Sequence, residues 1–461
     1  MRQLVANVSE EQTASLKQSS LQAIGYICES VDPKVLATES NQILTAVVQG
    51  ARKEESNAAV RVAAINALFD SLDFVKENFD REGERNYIMQ VICEATQSDE
   101  VRIQVAAFGC LVRIMQLYYE KMQFYMEKAL YGLTIMGMNS PIDEVVLQAV
   151  EFWSTVCEVE IEITFENQDA LMMNEEADRQ IFRFAKVAMP EILPVLLNLL
   201  TRQDDDIEDD EWNVAMAAGT CLQLFAQCVE GHIVGPVLTF VEQNIRESNW
   251  KQREAAVMAF GSILEGPEPS MLESLVQQAL PILINMMDDP IIQVKDTTAW
   301  ALGRISDLVV SAISTEAHLP GLMHALFKGF NDHPRIISNC SWALMNLAEQ
   351  LGDESQESAT APMSAYYDGC VPALVRVTER PDNDFNARTS AYEALSSLAT
   401  HAAVDKLPVI SELLTITLDR LMQSVDVQKQ LVGIEERTSH EELQSNLCSL
   451  LTVIKLVEGV Y

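Results

Sequence analysis

Val294-Lys295-Asp296-Thr297-Thr298-Ala299-Trp300-Ala301-Leu302-Gly303-Arg304-Ile305-Ser306-Asp307-Leu308 is the stretch that decides the fold. Within it Val294, Thr298, Ala301, Leu302, Ile305 and Leu308 stand at offsets 0, 4, 7, 8, 11 and 14. Such spacing puts all six on one face of a helix. At its centre Thr298-Ala299-Trp300-Ala301-Leu302 sets a pattern: small, apolar, variable, small, apolar. Working outward, the pattern returns at Ala23, Ala64, Ala107, Ala149 and Ala218, and again at Ala256, Cys340 and Ala391. Successive spacings are 41, 43, 42, 69, 38, 42, 42 and 51, so most sit near 42 and the two long ones mark insertions. A weaker tenth copy runs from Leu443 to Val457. Ahead of each anchor lies a second apolar helical pattern, as in Ile43–Gly50, Ile88–Ala95, Leu193–Leu200, Val237–Ile245 and Ile282–Met287. Several of these carry a proline (Pro194, Pro236, Pro281, Pro320, Pro372, Pro408), which suits a first helical turn where the missing N–H costs nothing. No segment alternates with period two, so strands are not expected.

Two helices per period of about 42 indicate HEAT-type repeats. A lone helical hairpin cannot bury its apolar face, so hairpins stack. The expected fold is all-α: one continuous α-α superhelix (solenoid) of about ten HEAT repeats over residues 1–461, with second helices on the concave wall. An acid precedes a base by six residues at Glu55/Arg61, Glu247/Arg253, Asp289/Lys295 and Asp382/Arg388, each base three residues before its anchor. Stacking would arrange these charges as a ladder.

The 461 residues hold 32 basic and 68 acidic side chains, a net charge of −36. A polyanion repels phosphate backbones, so nucleic acid is not an expected partner. Hydrophobic residues make up 48%, too many for a disordered acidic chain. No run of about 18 apolar residues occurs, and no membrane partner is expected. Met1-Arg2-Gln3-Leu4 opens on helix-like sequence, so no signal or transit peptide is expected. Nine scattered cysteines suit a reducing compartment. None of the six histidines stands in a metal-ligand spacing, and no glycine-rich loop precedes a Lys-Ser/Thr pair. Cys221 and Cys228 share a helix face and read as core. No cofactor, metal or enzymatic activity is expected.

Binding features are clearer. Asp204, Asp205, Asp206, Glu208, Asp209, Asp210 and Glu211 form an acidic run broken only by Ile207 and closed by Trp212. It sits in the longest insertion, and a basic partner would relieve its self-repulsion. Two residues after each anchor stand Gly25, Asn66, Gly109, Glu151, Thr220, Met258, Trp300, Trp342 and Glu393. Most are polar or small, which places the position on the solvent side. Trp300 and Trp342 break that rule and suggest a contact surface. Trp153 and Trp250 read as packing residues. On first helices Leu44, Thr45 and Val48 share a face beside Tyr87 and Ile88 of the next unit, and Tyr125 and Leu133 follow. Periodicity alone makes these core positions, with a shallow groove for an aromatic residue as the other reading.

Gln22–Cys28, Ile88–Gln97, Ala255–Pro269 and the acidic run ending in Trp212-Asn213 resemble the importin-β family of nuclear import receptors, and the resemblance extends over essentially the whole chain. It implies an internal piece that begins in an early repeat and ends near the middle of the family's superhelix. It implies a concave face that binds the basic segment of importin-α, or basic cargo signals directly. Cargo-facing positions then fall on Asp204–Glu211, Trp212, Trp300 and Trp342. It also implies an outer face that binds Phe-Gly repeats of nucleoporins at Leu44, Thr45, Val48, Glu84, Tyr87, Ile88, Tyr125 and Leu133. Ran-GTP would release cargo, its contact weakened by missing N-terminal repeats, and the receptor would shuttle between cytoplasm and nucleus. An armadillo adaptor of the importin-α kind is the first alternative; Trp342 and Asn346 faintly match its tryptophan–asparagine array. A purely structural HEAT scaffold is the second.

Overall fold

A computed structural model describes residues 1–173, 179–203, 212–353, 355, 357–428 and 433–458. Among the described residues every regular element is helical, and helices of eight residues or more number nineteen. The chain forms two compact units, Met1–Glu230 and Gly231–Tyr461.

The first unit holds α1 (Ala14–Ser30), α2 (Ser40–Ala51), α3 (Ala58–Ser71), α4 (Glu82–Ala95), α5 (Val101–Tyr118), α6 (Tyr131–Met138), α7 (Asp143–Met172), α8 (Phe184–Leu199) and α9 (Val214–Val229). The second holds α10 (Val234–Asn244), α11 (Trp250–Ser262), α12 (Pro269–Met286), α13 (Ile292–Leu308), α14 (Leu319–Gly329), α15 (Pro334–Leu351), α16 (Tyr367–Glu379), α17 (Phe385–Thr400), α18 (Leu407–Gln428) and α19 (Ile434–Glu458). Even-numbered helices are the first of each hairpin and odd-numbered ones the second. Every anchor of the sequence repeat falls on an odd-numbered helix. Short Arg2–Ala6 stands where the partner of α1 would be.

Several second helices start on side-chain caps. Asn57 accepts from Val60 N, Asn213 from Met216 N, Asn249 from Lys251 N and Asp384 from Ala387 N. Each cap satisfies a backbone donor that the first turn leaves open. Every anchor but the half-buried Ala23 is buried, Ala64, Ala107, Ala149, Ala256 and Thr298 among them, which lets neighbouring second helices approach closely. In each unit these helices pack along their length, as α1 on α3 and α13 on α15, whereas first helices meet at few positions. The second helices form the tighter row, the one expected on the inner side, and the sparse contact between first helices leaves grooves on the other.

Three expectations change in detail. Pro194, Pro281 and Pro372 lie inside α8, α12 and α16 rather than in their first turns, because those helices start earlier than the prolines suggest. The charge ladder exists between adjacent repeats, but some of its partners, Lys17 and Asp332, lie outside the quoted pairs. Lys17 pairs with Glu55 at 2.9 Å and Arg253 with Asp289 at 2.9 Å, and Lys295 pairs with Asp332. Arg253 also donates to the carbonyls of Glu247 and Ser248 in its own turn. Finally, Val101–Lys121 and Val214–Asn244 are long and apolar enough to cross a membrane by length and composition. The former is α5 with its following turn, packed between α3 and α7; the latter combines α9, a 3-10 turn and α10.

Candidate functional site: peptide-binding surfaces

In the first unit a cavity of about 480 Å³ opens between α2 and α4. It is lined by Leu44, Thr45 and Val48 from α2 and by Glu84, Tyr87 and Ile88 from α4, together with Asn41, Asn78 and Arg81. Six of the eight positions expected to hold Phe-Gly repeats therefore share one cavity. Leu44, Val48 and Ile88 form an apolar floor, each under a tenth exposed, and Tyr87 stands as a wall at 47% exposed. The floor is core to its own hairpin and still faces a groove. Several of its polar groups are paired. Arg81 bonds Glu84 at 2.8 Å, and Asn78 Nδ2 donates to Glu84 Oε2 at 2.7 Å. The Arg81 guanidinium, and next the Asn78 amide, hold the Glu84 carboxyl below the usual carboxylate range. With Arg52 also on the lining, the groove is not acidic although the chain as a whole is strongly so.

Tyr125 and Leu133 are not part of that cavity. Tyr125 precedes a π-helical turn, Met126–Leu130, that leads into α6. Its hydroxyl bonds Asn86 Oδ1 and accepts from Arg85 Nε at 3.2 Å, which ties it to α4. Leu133 is buried on α6, while Phe124 is exposed beside Tyr125 with ring centroids 5.3 Å apart.

On the inner row of the second unit, Trp300 and Trp342 are half-buried. Each indole lies across a glycine of the preceding second helix. A Cβ built on Gly261 would meet Trp300 Cζ3 at 2.5 Å, and one on Gly303 would meet Trp342 Cε3 at 2.3 Å. The seats are reinforced four residues further on: Arg304 Nε donates to Gly261 O and Asn346 Nδ2 to Gly303 O. Asn346 is therefore spent on the stack, whatever its likeness to an armadillo array. Arg304 also sits 5.7 Å from the Trp300 ring and pairs with Glu265 at 3.3 Å, a cation–π contact made within the chain. Trp153 is fully buried, its Nε1 donating to Thr134 Oγ1, and Trp250 begins α11.

In the first unit Trp212 is 57% exposed and directly precedes the Asn213 cap of α9. Asp204–Glu211 lie outside the described residues. Also in this unit, the inner row carries a second cavity of about 480 Å³, between α1 and α3, that the sequence did not suggest. Exposed Tyr26 and Phe69 flank Glu29 and Asp70 there. Burial, then the Glu29 carboxylate, push the Asp70 carboxyl up to about 6. Seats such as Gly261 had a readable signal. The residue five after each anchor is Cys28, Phe69, Val112, Ser154, Gln223, Gly261, Gly303, Met345 or Ser396, so glycine stands there only in the two repeats preceding Trp300 and Trp342.

Repeated hairpins with grooves on one side and an aromatic-bearing row on the other define an α-solenoid built from HEAT repeats; a HEAT-like repeat family matches residues 250–305. The family described as importin subunit beta-1-like, TPR repeats, matches residues 321–458. Importin subunit beta-1 of Schizosaccharomyces pombe is 58% identical over 451 residues, covering 98% of this chain and 52% of that protein. Kap95 in its complex with Nup1 superposes with a TM-score of 0.92 at 48% identity, covering 98% of this chain and 52% of Kap95. Kap95p in the structure where its binding induces the switch loops of RanGDP to adopt the GTP-bound conformation gives 0.88 at 48% identity, with 98% and 52% covered. The chain belongs to the importin-β family, and it spans about half the length of the relatives it matches.

Proposed function

We propose that the chain serves nuclear import as a receptor rather than as an enzyme. Its α2/α4 groove takes Phe-Gly repeats of nucleoporins. Its inner rows take the basic segment of importin-α or basic nuclear localisation signals, with Ran-GTP as the releasing partner and passage between cytoplasm and nucleus as the consequence. One observation carries this reading: Leu44, Thr45, Val48, Glu84, Tyr87 and Ile88, from two hairpins, line one cavity with an apolar floor, of a size to seat an aromatic side chain. Kap95, similar over nearly this whole chain, has been solved with Nup1. For the basic partner, a net charge of −36 steers cations inward, and Trp212, Trp300 and Trp342 offer indole faces for lysine and arginine. The test is titration of a Phe-Gly peptide against the chain and its Tyr87→Ser, Ile88→Ser variant. Binding that drops at least tenfold supports the groove, given about 2 kcal/mol for an aromatic anchor; equal binding with an intact fold returns both residues to packing alone.

A further inference from the structure

We infer that Asn78 reads the main chain of the peptide in the α2/α4 groove, its Oδ1 accepting a backbone N–H next to the seated aromatic. The inference rests on the Phe-Gly reading of the groove and adds to it a residue outside the expected set.

Asn78 lies in the short helix Lys76–Asp80 that leads into α4, and it lines the groove. It is 1% exposed. Both amide protons are committed, one to Asn41 Oδ1 at 2.7 Å and one to Glu84 Oε2 at 2.7 Å. Those partners fix which end of the amide is which. Glu84 is ionised at neutral pH, because Arg81 and Asn78 lower its pKa, so it can only accept. Flipping Asn78 would set its oxygen against the Glu84 carboxylate. The amide is therefore locked with Oδ1 turned away from both acceptors, and Oδ1 has no hydrogen-bond partner in the protein. Buried carbonyl oxygens are normally bonded, and one left open costs about 1–3 kcal/mol. A second open group, Arg52 Nε, lies on the same lining at the far end of α2. Asn41 and Arg52 are eleven residues apart on and just past α2, about 16 Å at 1.5 Å per residue. An extended peptide of about five residues spans that length. One end of the groove thus holds an open acceptor and the other an open donor, both covered in the peptide-free chain, with the apolar floor between them. That order fits an uncharged, extended segment whose central aromatic sits on Leu44, Val48 and Ile88.

The experiment alters the ligand, so that folding of the protein is not in question. A short Phe-Gly peptide is prepared as a series in which each backbone amide in turn becomes an ester, which removes one N–H. Each member is titrated against the chain and against Asn78→Ala. The expected result is a loss of about tenfold at a single ester position for the wild-type chain, and no such loss for Asn78→Ala. A series with no sensitive position, or a sensitive position that stays sensitive in Asn78→Ala, overturns the role of Asn78 while the groove stands. A parent peptide that fails to bind the wild-type chain overturns the groove reading and this inference with it.

Discussion

Replacing Gly303 with alanine should unseat Trp342 without breaking the stack. The added Cβ would lie 2.3 Å from Trp342 Cε3, 2.4 Å from Cζ3 and 3.3 Å from Cδ2. Carbon atoms in contact sit about 3.5–4.0 Å apart, so the ring must retreat by more than about 1 Å. The backbone cannot give way easily. Ile337, Cys340, Ala343, Leu344 and Leu347 of α15 are fully buried, and Asn346 holds the Gly303 carbonyl at 3.2 Å. The half-buried indole has solvent on its other side, so it swings outward. Overpacking of this kind costs about 1–3 kcal/mol when nothing yields. Here the ring yields, and alanine regains about 1 kcal/mol of helix propensity over glycine. The net change in stability should therefore stay within about 1 kcal/mol. Binding should change more, since a displaced aromatic anchor loses about 2 kcal/mol, or about thirtyfold in affinity. The assay is titration of a basic helical peptide by calorimetry, beside tryptophan emission and a denaturant melt. The expected result is weaker binding, a red-shifted emission and an unchanged melt. Unchanged affinity together with a shifted emission would refute the claim that the seated indole contacts cargo, and unchanged emission would refute the seat itself.

The same coordinates give further expectations. Glu160 of α7 accepts from Tyr119 Oη at 2.8 Å and from the backbone N–H groups of Phe184 and Ala185 at the start of α8, so Glu160→Ala should cost the first unit about 2–4 kcal/mol in a denaturant melt; a loss below about 0.5 kcal/mol would contradict it. Asp70 has its pKa raised to about 6, so its ionisation opposes folding above that pH and the penalty disappears as pH falls below the ordinary carboxyl value. Asp70→Asn should then stabilise the chain at pH 7 by about 1 kcal/mol, after discounting for its partial exposure, and make no difference near pH 3; stabilisation that grows on acidification would reverse the sign. Arg253 joins Asp289 through two bonds of 2.9 and 3.0 Å and also holds two carbonyls of its own turn, so Arg253→Leu should cost about 3 kcal/mol, and Asp289→Leu added to it should recover part of that in a double-mutant cycle.

The repeat was legible because stacking needs a small residue at one fixed place per hairpin, and Ala64, Ala107, Ala256 and Thr298 all sit where second helices touch. Prolines misled because a helix held by packing on one face tolerates one mid-span on the other: Pro281 lies well inside α12 and is exposed, while Leu272, Val276, Leu280 and Leu283 of that helix are buried. The ladder was legible from its constant offset to the anchor, but the partners that meet were not: Arg253 reaches Asp289 of the following turn, a register that only stacking sets. Trp300 and Trp342 were visible as rule-breakers, but their seats were not. Gly261 and Gly303 act through the side chain they lack, and only comparison across repeats exposes them. Asn78 was out of reach altogether, since its helix, Lys76–Asp80, lies outside the periodic pattern and its open Oδ1 follows from three-dimensional pairing.

The groove itself is tested most directly by photocrosslinking. A Phe-Gly peptide carrying benzoylphenylalanine in place of its phenylalanine is bound, irradiated and mapped by mass spectrometry. The account predicts adducts on 44–52 and 84–88, suppressed by excess unlabelled peptide and lost in the Tyr87→Ser, Ile88→Ser variant. Adducts confined to the second unit, or spread over the surface and indifferent to competitor, would contradict it.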